Sequence, residues 1–142
     1  MVNILDIETD APEGGDKLEN IFSRQQELED KYEDIEAANG FNHPDGGDWE
    51  VGGLDDAHTQ WFLKDAAYRV VEELSEATNC LKNKPWKTTQ VPTDANHYYE
   101  ELADAFHFFI RLCMYSGLDA EKMYRLYFKK SEVNKFRQET NY

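Results

Sequence analysis

The sequence predicts an all-α protein, a helical bundle of four or five helices. Three observations carry that expectation. Apolar residues recur at three- and four-residue spacings in several long stretches; no segment alternates apolar and polar residues as a half-buried strand would; and the stretches are separated by Asn-Gly, Pro and Ser-Gly, which stop helices. No internal repeat is present, and 142 residues are expected to form a single domain, 1–142, with a core of its own.

The elements follow in order. Residues 1–15 carry Pro12, Gly14 and Gly15 among acids and read as a loose N-terminal arm. A polar helix is expected from Asp16 to Ala38, with Leu18, Phe22, Leu28, Tyr32 and Ile35 as a sparse apolar face, closed by Asn39-Gly40. Phe41–Gly53 is a loop rich in Gly, Asp and Pro. Its Asp45-Gly46-Gly47-Asp48 lacks the ligand spacing and terminal Glu of a calcium-binding EF-hand loop. A long second helix spans Asp55 to Leu81, where Val70, Leu74, Ala77 and Leu81 mark a buried stripe and Trp61 reads as a core residue. Pro85 blocks its continuation. A third helix, apolar nearly all round, runs from Thr93 or Asp94 to Tyr115 and ends at Ser116-Gly117. Asp119 then caps a last helix running to Gln138.

Composition narrows the function. Asp and Glu number 29 against 15 Lys and Arg, a formal net charge of -14. So acidic a surface repels nucleic-acid phosphates and anionic lipid, so neither nucleic acid nor membrane is an expected partner. No apolar run approaches the roughly 18 residues of a membrane span. The acidic N-terminus has no signal-peptide layout, which points to a reducing cytoplasm. Cys80 and Cys113 cannot build a disulfide framework, and neither has a His, basic pair or CxxC neighbour; both read as ordinary semi-buried thiols.

Four carboxylates break the apolar pattern. On the third helix Glu101 and Asp104 stand at i,i+3 beside Leu102, Phe106 and Phe109; on the second, Glu73 and Glu76 repeat the spacing, with Glu73 bordering the apolar stripe. Like charges at i,i+3 repel, and burying them costs more. Two helices converging such pairs would offer four hard oxygen donors, a site for Mg²⁺ or Mn²⁺. The alternative is a solvated acidic face, more natural for Glu73/Glu76 than for Glu101/Asp104. A di-iron bundle needs Glu-x-x-His pairs, and none occurs; His107 reads as a structural histidine.

Basic residues gather in two places. Lys82, Lys84 and Lys87 surround Trp86, and Tyr127, Lys130, Asn134 and Arg137 recur along one face of the last helix. Such strips suit phosphate oxygens, or equally offset the dipole at a helix C-terminus. An acidic metal site together with separate cationic patches is how Mg²⁺-nucleotides are gripped.

Glu73-x-x-Glu76, then Lys84-Pro85-Trp86-Lys87, then Glu101-Leu-Ala-Asp104-Ala-Phe-His-Phe-Phe109 resembles the all-α nucleotide pyrophosphatase superfamily, which includes MazG-type enzymes and the dimeric dUTPases. The stretch Tyr127 to Tyr142 is similar to the dimeric dUTPases and to a phage dCTPase/dUTPase branch, and Gln25-Gln-Glu-Leu28 matches the QxxL of their first helix. The resemblance covers about residues 18–142. It implies that Glu73, Glu76, Glu101 and Asp104 are metal ligands. It places Lys84, Trp86, Lys87, Lys130, Asn134, Arg137 and Tyr142 near the phosphates, and it gives Gln25 the pyrimidine base. Trp49, in the loop, is placed to cover that base. Lys130-Ser131 departs from the Lys-Asn common in these families.

The implied reaction is Mg²⁺-dependent hydrolysis of dUTP, with dCTP as a further substrate, between the α and β phosphates. Glu73 or Glu76 would accept the proton of the attacking water, and the products would be a nucleoside monophosphate and pyrophosphate. A homodimer is the family expectation, and a phage source would place the enzyme in a host cytoplasm. Two other readings stand beside it: a MazG-like pyrophosphatase of other or modified nucleotides, and a nucleotide-binding regulator that acts through a protein partner.

Overall fold

The computed structural model describes residues 3–45 and 53–140, and helices make up its regular structure: α1 (Lys17–Ala38), α2 (Ala57–Asn79), α3 (Ala95–Tyr115) and α4 (Ala120–Glu139), with single 3₁₀ turns at Ile4–Asp6 and Gly53–Asp55. No strand occurs among the described residues. None of the described helices is long and apolar enough to cross a membrane. Trp49 and Tyr142 lie outside the described residues, as does most of the Asp45–Asp48 loop.

Each helix starts on an aspartate. Asp16, Asp56, Asp94 and Asp119 accept the backbone N–H three residues on, at 2.8–3.1 Å, satisfying a donor that the helix cannot. Two of the ends are equally local. Gly40 and Gly117 stand at φ 83° and 84°, just past α1 and α3, where a side chain would be strained.

α2 and α3 form the principal packed pair. They run antiparallel, so that Phe62 meets Tyr115 at one end and Glu73 meets Glu101 and Asp104 at the other. α1 lies across α3. Phe22, Ile110, Cys113 and Ala120 make a small apolar core there, ringed by Leu18, Met114, Leu118 and Met123. Full burial of Phe22 or Ile110 is worth roughly 1.5–3 kcal/mol each.

The facing of the helices departs from the sequence expectation. The α2 side chains that go inside are Thr59, Phe62, Ala66 and Ala77, whereas Leu74 and Leu81 of the expected stripe are exposed. Trp61 is half exposed rather than in the core; it packs on Phe41 and stacks on His58. On α1 the buried positions include Gln25 and Glu29, while Tyr32 and Ile35 face out. The reason lies opposite α1: Arg111 of α3 and His43 of the following segment supply the charges and donors that a buried glutamate needs.

The N-terminal residues read as a loose arm run along α1. Asp10 accepts a two-pronged ion pair from Arg24 at 3.1 and 3.0 Å, and Asn20 donates to the Gly14 carbonyl at 3.0 Å. Both cysteines are free and buried, and burial pushes the Cys113 thiol up, away from nucleophilic reactivity.

Candidate active site

The antiparallel pairing of α2 with α3 brings together carboxylates 28 to 31 residues apart in sequence. Ligand oxygens of Glu73, Glu101 and Asp104 lie within 4.8 Å of one another. Glu101 and Asp104 share a face because they are i,i+3 on α3. Glu101 is buried, and its Oε2 has no hydrogen-bond partner among the described residues. Its other oxygen, Oε1, is 3.1 Å from Nε2 of His97, one turn earlier on the same helix. Glu76 is exposed on the next turn of α2 and does not join the triad, although its carboxyl interacts with Glu101.

Electrostatics show the cost of this cluster. Glu73 is pushed up to about 8, first by the neighbouring Glu101 carboxyl, then by burial and by the charges of Glu76, Glu101 and Asp104. Glu76 is raised, first by the neighbouring Glu101 carboxyl. Asp104 is raised by burial and then by the charges of Glu101 and Glu100. Glu101 is the carboxyl held below its ordinary range, first by the neighbouring Glu73 carboxyl. No lysine or arginine pairs with the cluster among the described ion pairs, so Glu73 and Asp104 are pushed toward protonation. A buried carboxylate oxygen without a donor, in an all-oxygen set drawn from two helices, fits a hard divalent cation.

Beside the triad is a cavity of about 470 Å³, lined by Gln25, Leu28, Glu29, Tyr32 and Glu36 of α1 and by Asp104, His107, Phe108 and Arg111 of α3. Its volume is in the range of small-ligand sites. Asp104 belongs to both cavity and triad, whereas Glu73 and Glu101 do not line the cavity. A second cavity of similar volume, between the N-terminal arm and the α1/α3 face, contains none of the triad. His107, expected to be structural, contacts the Ala103 carbonyl through Nδ1 at 2.8 Å.

Behind the first cavity is a buried polar network that the sequence reading missed. Arg111 donates through Nε to both oxygens of Glu29, at 2.9 and 3.0 Å, and through Nη2 to both oxygens of Glu36, at 3.0 and 2.9 Å. Gln25 Nε2 donates to Glu29 Oε1 at 2.8 Å. His43 bridges Glu36 and the Tyr115 hydroxyl, and Phe62 lies under the Arg111 guanidinium at 5.4 Å. Burial and the charge of Glu29 push the Tyr115 phenol up, out of the titrating range. The signals in the chain were slight: an arginine inside the apolar run Phe108–Met114, and a glutamate four residues after Gln25. His97, at i,i+4 from Glu101, was equally unremarked.

The cationic residues stand apart. Lys84, Trp86 and Lys87 are exposed in the α2–α3 loop, with Lys84 Nζ 5.9 Å from the Trp86 ring. Lys130, Asn134 and Arg137 are exposed on α4, which packs on the rest through its first turns, at Ala120 and Met123.

A family model described as dUTPase matches residues 17–116. The chain belongs to this dUTPase family. No curated protein matches the chain, and no protein of solved structure matches it. The matched span holds Gln25, the four carboxylates, Lys84, Trp86 and Lys87, and the Glu29–Arg111 network; it ends before α4. Membership gives a nucleotide substrate and, in general terms, dUTP hydrolysis. The family typically needs a divalent metal, and the triad is a group that can hold one.

Proposed function

We propose that the chain hydrolyses dUTP, and dCTP as a second substrate, to the nucleoside monophosphate and pyrophosphate. Mg²⁺ is the cofactor, with Mn²⁺ able to substitute, held by Glu73, Glu101 and Asp104 with Glu76 completing the set. The observation that supports this reading is the sharing of Asp104: one residue lines the cavity sized for a nucleoside and belongs to the carboxylate cluster suited to the triphosphate's metal. A cation bound there supplies Lewis acidity toward phosphorus and toward the attacking water. Gln25 reads the pyrimidine from the cavity wall, which Phe108 and Asp104 also line. Glu73, or Glu76 one turn on, takes the proton from the water as its oxygen bonds to phosphorus and the phosphoanhydride bond breaks, releasing pyrophosphate. Lys84, Lys87, Lys130, Asn134 and Arg137, with Trp86 and Tyr142, neutralise and cover the phosphate tail.

The working unit in this reading is a homodimer, because α4 carries three of those phosphate residues on a helix that the rest of its own chain leaves largely uncovered.

The test is a product assay across dUTP, dCTP, dTTP, dATP and dGTP, with Mg²⁺ and then with EDTA. Pyrophosphate is expected from dUTP, and more slowly from dCTP, and EDTA abolishes it. Glu73→Gln is expected to lower turnover by about 10²- to 10⁴-fold with an unchanged far-ultraviolet circular dichroism spectrum. Full activity of that variant would remove the metal-site reading.

A further inference from the structure

The buried pair Glu29–Arg111 touches no reacting atom, yet one of its hydrogen bonds goes to the residue proposed to read the base. Glu29 is 1 % exposed. Its Oε1 accepts from both Arg111 Nε and Gln25 Nε2, and its Oε2 accepts from Arg111 Nε. A carboxylate in an ion pair accepts hydrogen bonds and donates none. The amide atom facing Glu29 is therefore the nitrogen, as a matter of chemistry rather than of how the amide is drawn. Arg111 cannot swing aside to release it, since Glu36 holds its other arm and Phe62 lies beneath it.

With Nε2 committed, Oε1 is the group that Gln25 has left. It accepts no hydrogen bond from the described residues, it is not among their fully buried unpartnered atoms, and Gln25 lines both the cavity that Asp104 shares and the second cavity beside the N-terminal arm. A base that reaches Gln25 from the Asp104 cavity therefore meets an acceptor and not a donor. A neutral uracil offers a ring N–H to such an atom; cytosine offers a lone pair at the same ring position, and so does a uracil that has lost its ring proton.

We propose that Glu29, held by Arg111, is a positioning residue that locks the Gln25 amide with its oxygen toward the base, so that the site favours a pyrimidine presenting an N–H donor there and leaves dCTP the poorer of the two substrates. This rests on the reading of Gln25 as the base contact and adds the device that sets its direction. An unlocked glutamine turns over and satisfies a donor or an acceptor alike; a locked one discriminates.

The experiment compares binding of dUMP and 5-fluoro-dUMP to the Mg²⁺-loaded enzyme by titration calorimetry as pH rises. Fluorine lowers the pKa of the ring N–H, so the two ligands lose that proton at different pH. The titratable groups around the cavity, Glu29, Tyr32 and Glu36 on α1 and Asp104, His107 and Arg111 on α3, are common to both ligands and cancel in the comparison. In the wild type, affinity for 5-fluoro-dUMP is expected to fall tenfold per pH unit above the pKa of its ring N–H, with the dUMP limb displaced to higher pH. In Glu29→Gln the amide is free to turn and offer Nε2 to the ionised base, and the fall shrinks to threefold per unit or less. Glu29→Asp keeps the charge beside Arg111 but is one methylene too short to hold Gln25 as well. It gives the same flattened limb and serves if Glu29→Gln does not fold.

A wild type with no alkaline limb overturns the proposal, as does a full limb in either folded Glu29 variant. Gln25→Leu separates this failure from failure of the base-reading role. Unchanged dUMP affinity in that variant removes Gln25 from the base altogether. Weakened affinity together with wild-type limbs in the Glu29 variants leaves Gln25 as reader and removes only the lock.

Discussion

At the scale of single residues the site is defined by charges that the fold does not neutralise. Glu73 and Glu101 face each other across the α2–α3 contact, which holds Glu73 up to about 8. A carboxyl whose folded pKa is raised favours the protonated fold. Its contribution to stability is present at low pH and is lost as pH climbs from the ordinary carboxyl range, 4.5, toward about 8. A cation must displace that proton. The metal-free protein is therefore expected to lose thermal stability between pH 5 and 8, and added Mg²⁺ to restore more of it the higher the pH in that window. Differential scanning calorimetry with and without Mg²⁺ checks this; an Mg²⁺ increment that is constant across the window would remove Glu73 from the ligand set. The convergence of Glu73 with Glu101 and Asp104 was legible in the sequence because an acid beside large apolar residues breaks a pattern, whereas Glu76, read with them, stays exposed outside the triad. Glu29 and Arg111 were not legible, because the meaning of each depends on the other, 82 residues away.

At the scale of elements, local chemistry and long-range packing separate cleanly. The helix boundaries were legible to within a few residues, since each start is written as an aspartate cap and the ends of α1 and α3 as a glycine able to take positive φ. The faces were less so. Periodicity finds an apolar row but not what lies opposite it. On α2 the row through Phe62, Ala66 and Ala77 went inside, while Leu74 and Leu81 of the expected stripe stayed out. On α1 the ion pair drew Gln25 and Glu29 inward. The caps carry a prediction of their own. Asp119 accepts the Lys122 N–H at 2.8 Å, and α4 packs on the rest of the chain through the turn that this bond closes. Asp119→Ala is expected to cost about 1 kcal/mol in urea denaturation, and Asp119→Asn, which keeps an acceptor, only a few tenths. Equal losses for the two would mean that the side chain acts through its charge and not as a cap.

At the scale of the whole molecule, the chain exposes more surface than a chain of its mass ordinarily does. Its accessible surface is 10869 Å², against about 7,600 Å² for a compact monomer of this size. Large apolar side chains contribute to it. From Tyr124 to Thr140 every residue of α4 and its end except Ser131 is exposed, among them Tyr124, Leu126, Tyr127, Phe128, Val133 and Phe136. Leu102, Phe106 and Phe109 of α3 add a second outward row. A helix with so little cover is marginal by itself in water, and apolar patches this extensive mark association surfaces. The net charge of -14 works against indiscriminate aggregation and leaves a specific, symmetric contact as the outcome that satisfies both properties. In the homodimer reading, the apolar rows are the contact, and association carries Lys130, Asn134 and Arg137 toward a completed phosphate site. Sedimentation equilibrium is expected to give a dimer. Tyr124→Asp with Phe128→Asp, at positions where a monomer tolerates a charge, is expected to weaken association at least tenfold. dUTP turnover should fall in proportion to the dimer lost and recover as protein concentration is raised. A wild type that sediments as a monomer while fully active would show that one chain completes its own site. The exposed rows of α3 and α4 would then need a different occupant.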